Sequence, residues 1–300
     1  MTSQDSGTVV VFGATGQQGG AVVDGLLARG ARVRALVRTP ESDKARALAA
    51  RGVELTAFRI DDPAAQVAAL EAAGAFSFMT PDSSSPAEIE DEVRLGAALV
   101  DAAVAARVPH VVFNSVSGAE HDSGVAHFAS KGRVEEYLRQ SGLRVTVVRP
   151  TAFMESFSFV PLTVEDGELV LKMPFPDGVG LKLVALKDIG NVAAAILLGL
   201  ANVPGGAIEV VADQLTGSEI AAAFGARAGL PARYEARPLS DVSDVEDRAM
   251  FRWFAQASAY PADLAAVREI EPAVWDLPEW IRCSGWTAPA DSGRRDQRAG

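Results

Sequence analysis

One cysteine, Cys283, stands among 300 residues. An intrachain disulfide framework is thereby excluded, and a reducing compartment is the expected setting. Histidine is nearly as scarce. His110, His121 and His127 are the whole set, with no cysteine cluster beside them, so no metal site is expected. Positive charge is short too, with 28 basic residues against 39 acidic, and the net −11 repels nucleic-acid phosphate. Direct nucleic-acid binding is not expected. No apolar run is long enough to span a membrane, and the opening MTSQDSG has neither the basic nor the apolar region of a secretion signal. A cytoplasmic chain without membrane contact is expected. What remains is 48% hydrophobic residues, enough to bury a large core in one big α/β domain or two unequal ones. No internal repeat is visible.

The densest information lies in Val9–Gly20, VVVFGATGQQGG. Val9 to Phe12 is a short apolar run of the kind a fully buried parallel strand shows. Gly13, Gly16 and Gly19 follow at three-residue spacing, and Ala21–Leu27 then puts Ala21, Val22 and Leu26 on one helical face. Strand, glycine turn and helix in that order are what a dinucleotide fingerprint requires. Gly13 permits the sharp turn, Gly16 lets the backbone approach a pyrophosphate, and Gly19 lets the helix lie close to the strand. Free N–H groups at Gln17–Gly19, aligned with the helix dipole, favour an anion there. The plainer alternative is an ordinary glycine loop.

Arg32–Val37 reads as a second strand, ended by Arg38-Thr39-Pro40. An acid at that end would select NAD through the ribose 2′-hydroxyl, whereas an arginine pairs with a 2′-phosphate. Arg38 holds the position, with Arg34 and Lys44 nearby and no acid until Glu41. NADP(H) is therefore predicted over NAD(H); a solvated surface arginine is the alternative. Further strands are expected over Val53–Phe58, Ala75–Met79, His110–Phe113 and Val145–Val148. Helices fall between them, over Asp43–Arg51, from Pro63, over Ile89–Ala106 and over His127–Ser141. This alternation predicts a doubly wound parallel sheet with its ligand at the carboxyl ends of the strands. Thr15, Arg38, Thr80, Ser115 and Thr151 would then face one crevice, and Asp82–Pro86 reads as a polar connection or a flap.

After Pro150 the alternation breaks down. An aromatic stretch at Phe153–Phe159, a hairpin over Val164–Pro176 and a helix holding Met250, Phe251, Trp253 and Phe254 suggest a second lobe. The expected division is a dinucleotide-binding domain over 1–150, with return segments near 182–215. A smaller discontinuous lobe follows over 151–287, and then a disordered polar tail, 288–300. The aromatic helix near Trp253 serves as core or as the interface of a homodimer.

Three blocks, GATGQQGG (Gly13–Gly20), ALVR (Ala35–Arg38) and HFASKGRVEEYLRQSGLRVTVVRPTAFMESF (His127–Phe157), resemble the NmrA-like branch of the atypical short-chain dehydrogenase/reductases. VALKDIG (Val184–Gly190) and the tail RAMFRWF…PEWIRCSGW extend the likeness to Trp286. It implies a Rossmann domain with a small C-terminal lobe and NADP(H) as cofactor. Members of that family divide between NADPH-dependent reductases of quinones, dyes or phenylpropanoids and regulators that bind NADP(H) but catalyse little. Residue by residue, the likeness puts Thr15, Gln17 and Gln18 at the phosphates and Arg38 at the 2′-phosphate. It puts Lys131 over the nicotinamide ribose and Phe153 beside the nicotinamide, with Met154 also lining the substrate pocket. One departure stands out. The family usually carries an Asp four positions before the proline at Pro63, to accept from the adenine amino group; that position is Arg59 here, and Asp61 is the nearest acid.

Hydride transfer needs an acid for the developing alkoxide or enolate and a cation that keeps the acid poised. Many related dehydrogenases place Tyr four residues before Lys on one helix face, with Ser at the end of the fifth strand. Here His127 stands four before Lys131, and Ser115 follows the fifth strand. Histidine, with an intrinsic pKa of about 6.5, can do acid work near neutrality. Plain structural roles stay open for all three: Lys131 on ribose hydroxyls, His127 at a helix start, Ser115 in a turn. Two readings of the whole follow. One is an NADPH-dependent reductase of a small apolar carbonyl, quinone or conjugated substrate, with Lys131, His127 and Ser115 as catalytic residues. The other is a non-catalytic NADP(H) redox sensor that regulates through contacts with a protein partner. The missing Tyr favours the sensor; Lys131, Ser115 and an apolar floor favour the enzyme.

Overall fold

The computed structural model describes residues 7–81, 85–160, 162–256 and 263–291. Its first strand, Thr8–Phe12 (β1), has Val9, Val10 and Val11 all buried, as an unbroken apolar run demands when both faces of a sheet are covered. Gln17–Ala28 (α1), Val33–Val37 (β2), Asp43–Ala50 (α2), Glu54–Ala57 (β3) and Pro63–Leu70 (α3) follow. Next come Ala73–Phe78 (β4), Pro86–Ala105 (α4), Val111–Asn114 (β5), Ala126–Gln140 (α5) and Val145–Pro150 (β6). Local chemistry starts most of these helices. Ser42 caps α2, Asp62 caps α3 with Pro63 just inside, and Ser85 forms a capping box with Glu88 on α4. The exceptions are α1, which opens on Gly16, and α5, which opens on Val125; neither has a side-chain cap from its own N-cap residue.

Beyond Pro150 the chain forms Ala152–Phe153 (β7), a 3-10 turn at Met154–Ser158 and the hairpin Leu162–Glu165 (β8) with Glu168–Met173 (β9). Leu181–Val184 (β10), Leu186–Leu197 (α6), Ala207–Val210 (β11) and Asp213–Leu215 (β12) come next. Gly217–Ala228 (α7), Ala232–Ala236 (β13), Val245–Phe254 (α8), Leu264–Ile270 (α9) and Leu277–Cys283 (α10) complete it.

Seven strands make one sheet in the order β11-β6-β5-β4-β1-β2-β3, and every pairing in it is parallel. Helices α1 and α6 cover one face and α4 and α5 the other, each over its own apolar core. The doubly wound sheet is thus as the alternation predicts. Strand order reverses between β1 and β4, which leaves a crevice at the carboxyl ends of the strands. Two three-stranded sheets, β12-β10-β7 and β13-β9-β8, are formed by strands that follow β6 in the chain.

The return to the main sheet begins later than expected. Residues near 182 lie in a small sheet, since β10 pairs with β7 and β12; it is α6 and β11 that rejoin the large sheet. Strands β12 and β13 escaped sequence reading because neither DQL nor ARYEA has a buried, alternating face. The tail is ordered further than expected: Asp291 bridges to Val164, and residues 292–300 lie outside the described residues. Residues 82–84 of the Ser/Pro loop lie outside them too. Among the described residues no helix is long and apolar enough to cross a membrane.

Candidate active site

The glycine turn after β1 has the geometry its spacing implies. Gly13 sits at φ +79°, Gly16 N–H donates to the Gly13 carbonyl at 2.9 Å, and a methyl on Gly19 would lie 2.2 Å from that same oxygen. Gly16 is the N-cap of α1, which carries no side-chain cap and no acid in its first turn, so its free N–H groups remain for an anion. A cleft of about 410 Å³ runs from there across the strand ends. Gly13, Thr15, Gly16 and Gln17 line it together with Arg38, Thr80 and Phe153. Arg38 is exposed, and among the described residues its guanidinium has no ion-pair or hydrogen-bond partner. Arg34 is turned away, held by Glu54 at 2.8 Å and by the carbonyls of Ala69 and Glu71. Gln18 is buried, and its Oε1 has no partner among the described residues. A backbone cradle that admits no Cβ and a free guanidinium are features a bound dinucleotide phosphate would satisfy, whereas the orphaned amide oxygen calls for a donor such as a ribose hydroxyl.

A second cavity of about 270 Å³ opens beside the cleft. Phe128, Phe153, Phe157, Met173 and Leu183 give it apolar walls, and Met250, Phe251 and Phe254 of α8 add to them. Its polar groups are few: Gln18, Ser115, His127, Lys131, Thr151 and Ser156. Gln18 and Phe153 border both spaces, so they are two parts of one crevice.

Two ion-paired networks fix the polar residues. In the first, the buried Glu92 of α4 accepts from Lys131 Nζ at 2.9 Å, Thr80 Oγ1 at 2.6 Å and Ser130 Oγ at 2.7 Å. In the second, Ser115 Oγ donates to Glu135 at 2.5 Å, and Arg149 clamps that carboxylate at 2.6 and 3.1 Å. His127 stands apart from both, with Nδ1 3.3 Å from Glu246 Oε2 of α8.

The chain matches the model of the NmrA-like family over residues 5–278. It belongs to the NmrA-like family. An NAD(P)H azoreductase from Xenophilus azovorans is 34% identical over 233 residues, which is 76% of each chain. The NADPH-dependent quinone oxidoreductase QOR2 of Escherichia coli, solved with NADPH, superposes with a TM-score of 0.76 at 21% identity, covering 91% of this chain and 98% of that one. NmrA, a negative transcriptional regulator solved with NADP, gives 0.74 at 22% identity, over 93% and 95%. These likenesses show an NmrA-like, Rossmann-type fold.

Of the expected site residues, Met154 and Asp61 line neither space, while Thr80 and Thr151 line the crevice with their hydroxyls engaged elsewhere. Met154 is fully buried in the core and absent from the cavity wall, because its side chain packs inward from the 3-10 turn. Asp61 is exposed, pairs with Arg59 at 3.0 Å and does not reach the cleft. The Thr80 hydroxyl, though on the cleft wall, is turned to Glu92. Thr151 bonds the Val210 carbonyl. Tyr137, farther along α5, is exposed and donates to Asp101 at 2.8 Å, and Phe159, at the end of the aromatic stretch, is 83% exposed. Glu92, Glu135 and Glu246 were not singled out from the sequence. Glu92 was legible, since it shares the buried stripe of α4 with Gly96, Leu99 and Ala103.

Proposed function

We propose that this chain is an NADPH-dependent reductase of small, flat, apolar acceptors such as quinones and conjugated carbonyls. The observation that carries this is the shared wall. An apolar cavity, walled in part by α8, meets the dinucleotide cleft at Gln18 and Phe153, where a reducing cofactor and an acceptor would touch. The cleft takes NADP(H), with Thr15, Gln17 and the N–H groups of α1 on the diphosphate and Arg38 on the 2′-phosphate. Lys131 is positioned for the ribose hydroxyls. Its pairing with Glu92 fixes the ammonium and spares a buried cation from standing alone.

A bound nicotinamide supplies hydride. The chain must then deliver one proton for each hydride, so that a carbonyl becomes an alcohol or a quinone a hydroquinone. His127, on the cavity wall, is the group for this step. Ser115 is not, because its hydroxyl hydrogen is already given to Glu135; it ties the end of β5 to α5 instead. The apolar walls limit water around the reacting groups, which strengthens the polar contacts made there. The azoreductase relative supports reduction as the activity.

Stopped-flow oxidation of bound NADPH against quinones, enones and azo compounds tests the reading. Turnover by the wild type, lost in Lys131→Ala and His127→Ala while NADPH still binds, is the expected result. A non-catalytic sensor is favoured by two observations: no Tyr precedes Lys131 at the four-residue spacing, and Lys131 itself is tied to Glu92. Tight NADPH binding with no acceptor reduced, and a proteolysis pattern that differs between loaded and empty protein, would establish it.

A further inference from the structure

Helix α5 begins without a cap of its own, because Val125 has no side-chain acceptor to offer. The missing acceptor arrives from far along the chain. Glu246, in the first turn of α8, places Oε2 3.0 Å from Ala126 N–H, and the same oxygen stands 3.3 Å from His127 Nδ1. Two neighbouring groups of the active-site helix therefore share one carboxylate oxygen from an element that helps to wall the substrate cavity.

We infer that Glu246 is a positioning residue that aims His127 at the acceptor. A carboxylate at Nδ1 selects the tautomer with its proton on that nitrogen, and so leaves Nε2 as the nitrogen that takes up and delivers a proton. When hydride and its electron pair reach the acceptor carbon, the π pair of the C=O bond moves onto oxygen. Nε2–H then supplies the proton, and the neutral imidazole takes another from water. The pair is placed for that exchange, since the His127 and Glu246 side chains are 19% and 20% exposed. Because α8 also brings Met250, Phe251 and Phe254 to the cavity, the contact sets the proton donor and that part of the substrate wall in one register. A cap alone would not require a carboxylate beside an imidazole.

The inference rests on the reductase reading, and two variants with two readouts keep the failures apart. Glu246→Gln retains an oxygen for Ala126 N–H but removes the charge; Glu246→Ala removes both. The expected result is a kcat for quinone reduction at least about tenfold lower in Glu246→Gln and lower again in Glu246→Ala. KM and NADPH affinity should stay unchanged, and thermal stability should drop in Glu246→Ala alone. Independently of turnover, ¹⁵N NMR of His127 should show the proton on Nδ1 in the wild type and a tautomer mixture in Glu246→Ala. A Glu246→Gln enzyme with wild-type kcat reduces Glu246 to a cap and overturns the inference, as does an unchanged His127 signature in Glu246→Ala. If the wild type reduces no acceptor, the reductase reading fails while the His127 spectrum still decides the orientation.

Discussion

At the scale of single residues, the site divides into groups that motifs announce and groups that only folding brings in. Arg38 is of the first kind: it follows β2 directly, so its place on the cleft wall follows from the βαβ unit alone. Having no partner among the described residues, it holds its charge ready for a ligand, and pairing with a 2′-phosphate costs no broken ion pair. A charge-assisted hydrogen bond contributes about 1.5–3 kcal/mol, so Arg38→Ala should weaken NADPH binding by about ten- to a hundredfold. NADH affinity should change little, and the two fluorescence titrations compared give the answer. Equal losses for both cofactors would mean that the arginine does not read the extra phosphate. Glu246 is of the second kind. It lies 119 residues from His127, and no local pattern links them. Glu135 and Arg149 are 14 apart, yet they meet only because α5 lies beside β6. The resemblance misplaced Met154 for a related reason, since which of two adjacent side chains turns inward is decided by the 3-10 turn they begin.

At the scale of elements, the sequence was most legible where a segment's burial is set by its own pattern. The runs around β1 and β4 are buried on both faces, and an unbroken apolar string announces that condition. The short strands after β6 are different, because β13 becomes a strand only by lying parallel to β9, some sixty residues earlier. Helices α9 and α10, seven residues each, are too short to show a full amphipathic period. Helix–helix spacing was also hidden, and it bears directly on the site. Helices α1 and α6 approach so closely that a methyl on Gly190 would lie 2.1 Å from the Ala21 carbonyl oxygen, and one on Gly25 2.7 Å from that of Gly190. Both obstacles are backbone, so the helices would have to separate. Gly190→Ala should therefore destabilise by about 1–3 kcal/mol. Since α1 opens on the phosphate turn, NADPH affinity should fall with it. Gly20→Ala is the control, because its methyl would meet the Ala14 carbonyl oxygen at an ordinary 3.6 Å. Urea unfolding and cofactor titration of the two variants should separate them clearly; equal behaviour would show that the helices have room to move.

At the scale of the whole molecule, the crevice sits where the parallel sheet meets the two small sheets, and acid stability depends on what each part buries. His110, just before β5, is 6% exposed, with Nε2 2.9 Å from Thr146 Oγ1. Burial first, and the nearby Arg144 charge second, push its pKa down from 6.5 to about 4. The unfolded chain thus binds a proton that the fold refuses until the pH is far lower. His110 leaves stability intact above pH 6.5, and the loss grows as pH falls toward about 4. Three carboxylates act with the opposite sign. Glu155, Asp188 and Glu209 are all raised by burial, so each favours the fold below the ordinary carboxylate range and loses that contribution as pH rises through its folded value. The measured pH profile is the sum of these, and only a difference isolates one group. His110→Gln keeps a side chain able to bond Thr146 but cannot titrate, and the three carboxylates remain in both proteins. Between pH 6.5 and about 4 the wild type should lose up to about 3 kcal/mol relative to this variant, read from urea unfolding at several pH values. Parallel profiles would mean that His110 takes up its proton in the folded state as readily as in water, and the buried, neutral imidazole at the base of the sheet would have to be given up.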